Sequence, residues 1–158
     1  MNIQDWMRNN RGEWYVLAQA ALMLLVALAP RFDGTSPSRN GPALAAGIVL
    51  CVVGLAFAML ASLQLGRSLS PYPRPKERAR LVETGVFSVV RHPIYAGLSL
   101  LALGWSTLWL SLLALVATVV LFIFLDAKAR REERWLMEKF DGYARYRTRV
   151  RKFIPFVY

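Results

Sequence analysis

The fold is decided by residues 92–126, which read HPIYAGLSLLALGWSTLWLSLLALVATVVLFIFLD. The 32 residues from Ile94 to Leu125 carry no charged side chain. About 20 apolar residues suffice to cross a bilayer, so this run is long enough to lie in lipid. One helix of that length would measure about 48 Å, against a hydrocarbon core of about 30 Å. The run therefore predicts a hairpin of two helices, near 93–105 and 107–126, with a turn at Gly104-Trp105-Ser106-Thr107.

Two further apolar segments precede this hairpin, near 14–29 and 43–65. The second has the length of a full span and carries small residues, including Gly47 and Gly54, that permit close helix packing. A polar turn rich in glycine, serine and proline separates the two, from Pro30 to Pro42. The sequence thus predicts an all-α integral membrane helical bundle of about four transmembrane helices, forming a single domain over 1–158.

The charge distribution predicts how this bundle is oriented. The formal net charge is +10, from 20 Lys and Arg against 10 Asp and Glu. Residues 65–93 contain six of these cations and residues 127–158 contain ten. Since cytoplasmic loops next to membrane segments are enriched in Lys and Arg, both stretches and both termini are expected on the cytoplasmic side. The same placement favours a membrane interface over nucleic acid as the partner of the basic residues.

The junction between the basic loop and the hairpin is the first candidate site. Pro71, Pro73 and Pro75 forbid a regular helix, so residues 66–91 form a loop, and Pro93 suits the first position of the next helix. A helix start there presents unsatisfied N–H groups and a partial positive charge to an anionic group. The alternative is an ordinary interfacial helix start, with Tyr95 in the aromatic belt.

The cytoplasmic tail 127–158 carries two further candidates. Glu132 and Glu133 can accept hydrogen bonds from hydroxyl or amino groups of a ligand, or form a solvated helix face paired with Lys128. A helix in this tail is expected to end at Gly142. The basic and aromatic stretch 143–155 is typical of a surface that binds anionic lipid headgroups.

The inventory of metal ligands and thiols is poor. Cys51 is the single cysteine and His92 the single histidine. One cysteine forms no intramolecular disulfide, and neither residue alone builds a zinc or di-iron centre. No metal is therefore expected.

The candidate motifs together resemble a known family. They are Leu81-Val82-x-x-Gly85-Val86-Phe87, then Arg91-His92-Pro93-x-Tyr95-x-Gly97, a hydrophobic hairpin, Glu132-Glu133-x-x-Leu136 with Phe140, and Tyr143-x-x-Tyr146 with Ile154-Pro155. In this order and spacing, over roughly residues 79–155, the chain resembles the isoprenylcysteine carboxyl methyltransferases and their phospholipid N-methyltransferase relatives.

The resemblance implies a small helical membrane domain that binds S-adenosyl-L-methionine on the cytoplasmic side and takes a lipid-like or prenylated methyl acceptor from the bilayer. By position, the implied cofactor-binding residues are Arg80, Leu81, Val82, Phe87, His92, Pro93, Ile94, Tyr95, Glu132 and Glu133. Lys128 falls where the family has an arginine that orients the substrate carboxylate. Lysine keeps the charge but lacks the bidentate guanidinium fork.

Four functions fit these features. The leading one is methylation of the carboxyl group of a prenylated cysteine or a similar lipid-like acid, and the second is N-methylation of a phospholipid such as an ethanolamine lipid. The third is an NADPH-dependent sterol-type reductase, for which the chain is short. The fourth is a non-enzymatic membrane scaffold whose basic face binds anionic lipid.

Overall fold

The computed structural model describes residues 12–37 and 41–158. Within them the chain forms five α-helices, and no strand is present beyond one isolated bridge. They are α1 (Glu13–Phe32), α2 (Gly41–Leu65), α3 (Pro93–Trp109), α4 (Leu112–Lys139) and α5 (Tyr143–Arg149). Short 3-10 turns occupy Gly66–Ser68 and Gly85–Ser88 of the loop between α2 and α3. The predicted all-α bundle is confirmed.

Three of the described helices, α1, α2 and α4, are long and apolar enough to cross a membrane. The fourth, α3, has 17 residues, and at 1.5 Å per residue it measures about 25 Å. A length of about 17 residues is the lower end of the range for a membrane-spanning helix. A membrane bundle is thus confirmed, while the fourth span and the cytoplasmic orientation stay predictions; Met1 lies outside the described residues.

Glycines allow α2 and α3 to pack at very short range. A Cβ atom added to Gly54 would lie 2.6 Å from the carbonyl oxygen of Gly97, and one added to Gly104 would lie 2.8 Å from that of Gly47. Real Cβ atoms do not approach a carbonyl so closely, so only glycine fits at these crossings. The expectation of close packing by small residues in the second apolar segment is confirmed, as is usual for membrane helices.

The turn of the hairpin lies four residues beyond the predicted one. Helix α3 continues through the predicted turn to Trp109, and the chain reverses at Leu110, whose φ of 48° is left-handed. Ser111 caps α4, and Asp33 at the end of α1 accepts hydrogen bonds from the Ser111 hydroxyl and the Leu113 amide. The prediction was wrong because Gly104 serves helix packing and the Ser106 hydroxyl is satisfied inside the bundle by Ala102 and Thr118.

The predicted C-terminal ends of α1 and α4 also differ from those in the structure. Helix α1 includes Pro30 and reaches Phe32, so the polar turn is shorter than expected, and residues 38–40 of it lie outside the described residues. Helix α4 does not stop near residue 126; it continues through the charged stretch to Lys139 and ends before Gly142. At 28 residues it is about 42 Å long and carries charged side chains well beyond the apolar segment.

The end of the tail folds back onto the body of the protein. Val90 and Arg151 form the parallel bridge, and the amides of Arg91 and His92 donate to the carbonyls of Arg151 and Lys152 at 2.8 and 3.1 Å. The Phe153 ring is buried beside it. The start of α3 is therefore held by residues about 60 positions later in the chain.

Candidate active site

A cavity of about 330 Å³ lies where the basic ends of the helices meet the loop between α2 and α3. Small-molecule sites usually measure roughly 300–1,000 Å³, so this volume is at the lower end of that range. Ten of the eleven predicted site residues line the cavity: Arg80, Leu81, Val82, Phe87, His92, Pro93, Ile94, Tyr95, Lys128 and Glu132. The fold brings these residues together from the loop, the start of α3 and the charged part of α4.

The start of α3 fixes one wall of the cavity. His92 is the N-cap and Pro93 the first helical residue, as predicted. The His92 and Tyr95 rings stack in parallel with 5.4 Å between their centroids, and the Tyr95 hydroxyl donates to Glu132 Oε2 at 2.7 Å. This hydrogen bond holds Glu132 at the cavity. Its side chain is 26% exposed, so it can accept further hydrogen bonds from a ligand.

Glu133 is placed differently from the other predicted residues, because it lies behind the cavity wall. Its carboxylate is buried and contacts three cationic or cation-forming groups: Arg91 Nη2 at 2.9 Å, His92 Nε2 at 3.1 Å and Arg147 Nε at 3.4 Å. A buried carboxylate saturated by such partners holds its neighbours in place. Its geometry fits a role in positioning His92 better than direct contact with a cofactor.

Lys128 is buried but faces the cavity. Its ammonium donates to the side-chain oxygen of Gln19 at 2.6 Å and to the carbonyl of Pro71 at 3.2 Å, and it lies 5.2 Å from the centroid of the Tyr95 ring. An ammonium has three N–H donors. These two contacts tie α4 to α1 and to the loop, and leave one donor for an anionic group in the cavity.

Two tyrosines of α5 also line the cavity, although they were recognised only as part of a motif. The Tyr146 hydroxyl donates to the carbonyl of Phe87 at 2.6 Å, and burial raises its pKa. The Tyr143 hydroxyl is buried and has no hydrogen-bond partner within residues 12–37 and 41–158. Burial also raises the pKa of Tyr143, so it stays a neutral donor. An unsatisfied buried hydroxyl at a cavity is a natural contact for a ligand.

Other lining residues were missed by the sequence analysis, most clearly Gln19 on α1 and Ser62 near the end of α2. Gln19 had a signal, since it is the one polar side chain between Val16 and Ala29. In a transmembrane segment such a residue usually faces the bundle interior and finds a polar partner. Ser62 has no comparable signal, because serine is common at helix–helix contacts in membranes.

Sequence comparisons with known proteins identify relatives of this chain. A sequence profile described as phospholipid methyltransferase matches residues 42–142. The protein-S-isoprenylcysteine O-methyltransferase of Saccharomyces cerevisiae is 36% identical over 115 residues, which are 70% of this chain and 48% of that protein. A probable protein-S-isoprenylcysteine O-methyltransferase of Oryza sativa subsp. indica is 30% identical over 70% of this chain and 60% of its own length.

A third relative covers nearly the whole chain. The cobalt-zinc-cadmium resistance protein CzcN of Cupriavidus metallidurans is 30% identical over 150 residues, which are 94% of this chain and 64% of that protein. The chain thus spans about half to two thirds of the length of these curated relatives. Because the profile covers most of the chain, including the start of α3 and the Glu132 region, the chain belongs to the phospholipid methyltransferase family.

Proposed function

We propose that this chain is an integral membrane methyltransferase that uses S-adenosyl-L-methionine and methylates a lipid-borne acceptor, with a carboxyl group of the isoprenylcysteine type as the leading acceptor. The observation that carries the proposal is the position of the cavity. Its lining combines Val16 and Ser62 of the apolar helices with Ser68 and Tyr72 of the loop between α2 and α3. A lipid and a water-soluble cofactor can therefore meet in it.

The residues present fit this cofactor. S-adenosyl-L-methionine supplies a methyl group activated by a sulfonium, and it also carries hydroxyl, amino and carboxylate groups. Glu132 offers a fixed carboxylate to its hydroxyl or ammonium groups, and Tyr143 offers its unpartnered hydroxyl. The first amides of α3 suit an anionic group, and the Phe87 ring, which lines the cavity, offers an apolar surface to the adenine ring.

The chain's own groups can assist transfer by positioning alone. A carboxylate acceptor is ionised at neutral pH and already carries the attacking lone pair, so no base is needed. Lys128, held by Gln19 and Pro71, would orient that carboxylate with its remaining N–H. Apolar side chains such as Val16, Leu136 and Phe140 line the cavity, and alignment of acceptor and cofactor within it would supply much of the rate enhancement.

N-methylation of a phospholipid is the second candidate, favoured by the description of the matching family profile. An ammonium acceptor must lose a proton before it attacks, and Glu132 faces the cavity as an available base. In this role Lys128 would contact the lipid phosphate in place of a carboxylate.

The test begins with binding of S-adenosyl-L-methionine to the detergent-purified protein by calorimetry. Glu132→Ala should weaken binding about 10- to 150-fold, because a hydrogen bond to a charged group contributes about 1.5–3 kcal/mol. Glu138→Ala, which removes an exposed carboxylate of the same helix, is the matched control. Methyl-labelled cofactor is then offered with a prenylcysteine analogue and with phospholipid. Label in the phospholipid alone would overturn the carboxyl assignment, and absence of cofactor binding would overturn the methyltransferase itself.

A further inference from the structure

A second, wider cleft adjoins the cavity on the side of the loop between α2 and α3. It measures about 1,190 Å³ and is lined by residues from Gln64 to Val82. Five of its lining side chains are cationic: Arg67, Arg74, Lys76, Arg78 and Arg80. Among the described residues that line it, Glu77 is the one acidic side chain. This cleft is called the basic vestibule below.

Some cations at this end of the molecule have an acidic partner and others do not. Arg149 pairs with Glu83 at 2.6 Å, and Lys152 pairs with Asp126 at 2.7 Å. In the part of the chain that the structure describes, no ion pair engages four of the vestibule cations: Arg67, Lys76, Arg78 and Arg80. Within residues 12–37 and 41–158, these four positive charges therefore have no acidic side chain paired with them, although Glu77 lines the same cleft.

The vestibule and the cavity share a boundary. Ser68, Ser70, Pro71 and Arg80 line both of them. The carbonyl of Pro71 is also one of the two groups that hold Lys128. A molecule whose reacting end lies beside Lys128 can therefore place the next part of its polar head in the vestibule.

We infer that the basic vestibule is a specificity subsite for the methyl acceptor, which selects lipid-borne acceptors with an anionic group next to the methylated end and disfavours cationic ones. This inference rests on the proposed function. A concave surface of one charge sign concentrates ligands of the opposite sign, and like charges brought together reduce affinity and association rate. A prenylated cysteine at the end of a lysine-rich peptide would meet this repulsion, and an acidic one would not.

The test uses three prenylated cysteine peptides with a free carboxyl end that differ only in an extension of three glutamates, three serines or three lysines. Methyl transfer from labelled S-adenosyl-L-methionine gives kcat/KM for each. We expect the acidic peptide to exceed the basic one by about 10-fold at low salt, because screening is then weak. The ratio should approach one near 1 M salt, where the Debye length falls to about 3 Å.

Reversing the charge of two vestibule arginines tests whether the preference for the acidic peptide arises in the vestibule. Arg67 and Arg78 are exposed, line the vestibule and do not line the cavity, so the double variant Arg67→Glu/Arg78→Glu should keep its cofactor affinity and lose or invert the preference. Arg145→Glu changes an exposed cation of α5 outside the vestibule and should keep the preference. An equal kcat/KM for all three peptides, or the same change in the Arg145 variant, would overturn the inference.

Failure of the proposed function gives a different result. If no peptide is methylated, the dissociation constants of the three peptides, carrying a fluorescent label, are measured with wild type and with the double variant. A preference for the acidic peptide that disappears in the double variant supports the subsite even then. Equal dissociation constants overturn it.

Discussion

Replacing Glu133 with alanine separates the supporting role of this carboxylate from the binding role of its neighbour. Glu133 is 3% exposed and faces Arg91, whose side chain is 8% exposed, across 2.9 Å. The variant leaves a buried guanidinium without its main counter-charge. Breaking a buried ion pair from one side costs about 3–5 kcal/mol of the free energy of unfolding. For a chain of this size that corresponds to a fall in Tm of about 10 °C.

The matched variant is Glu132→Ala, which removes a partly exposed carboxylate one residue earlier. It should lower Tm little and weaken cofactor binding strongly. Glu133→Ala should lower Tm strongly and, at temperatures where it remains folded, weaken cofactor binding less, because it acts on the cofactor only through the position of His92. Thermal unfolding in detergent and calorimetric binding measure the two effects on the same samples. Glu133→Gln, which keeps a hydrogen-bond acceptor without the charge, should fall between wild type and alanine in Tm.

Two results would contradict this interpretation. Glu133→Ala with an unchanged Tm would mean that the buried pair contributes nothing. Loss of cofactor binding by Glu133→Ala equal to that of Glu132→Ala, at full stability, would mean that both carboxylates contact the cofactor. The family resemblance implied that both residues bind the cofactor, so the second result would favour that interpretation over the geometry.

Three further variants test other contacts. Tyr143→Phe removes the unpartnered hydroxyl, so calorimetry should show about 3- to 10-fold weaker cofactor binding, the equivalent of one ordinary hydrogen bond, with Tm unchanged or higher. Gln19→Leu removes an acceptor of the Lys128 ammonium, and steady-state kinetics should show a raised KM for the acceptor with unchanged cofactor affinity. Gly54→Leu inserts a side chain where Cβ alone meets backbone, so gel filtration should show little folded protein, while Gly41→Ala, where nothing lies within 4 Å, should be well folded.

The features of this molecule that could be predicted are those that depend on residues close together in the sequence. Charge-free length predicted the membrane helices, and Pro93 predicted where α3 begins, because each follows from the chemistry of neighbouring residues. The hairpin turn was misplaced because Gly104 fits two roles, a helix breaker or a packing contact, and only the position of α2 decides between them.

The candidate site was predictable to the extent that family motifs name its residues. The motifs do not indicate which side chain each of these residues contacts in the folded protein. Glu132 and Glu133 are adjacent in sequence and face opposite sides of the cavity wall, because neighbouring positions on a helix point about 100° apart. The contact between Gln19 and Lys128 joins residues 109 positions apart, so it required the packing of α1 against α4.

The bridge between Val90 and Arg151 has a consequence for biosynthesis. The amide of His92 is bonded to a carbonyl 60 residues later, so the start of α3 obtains its final support only after the chain through Lys152 has left the ribosome. By then helices α1 to α4 have been synthesised. The order of translation therefore delays completion of the candidate site until the membrane segments have emerged, and a nascent chain stopped at α4 would lack it.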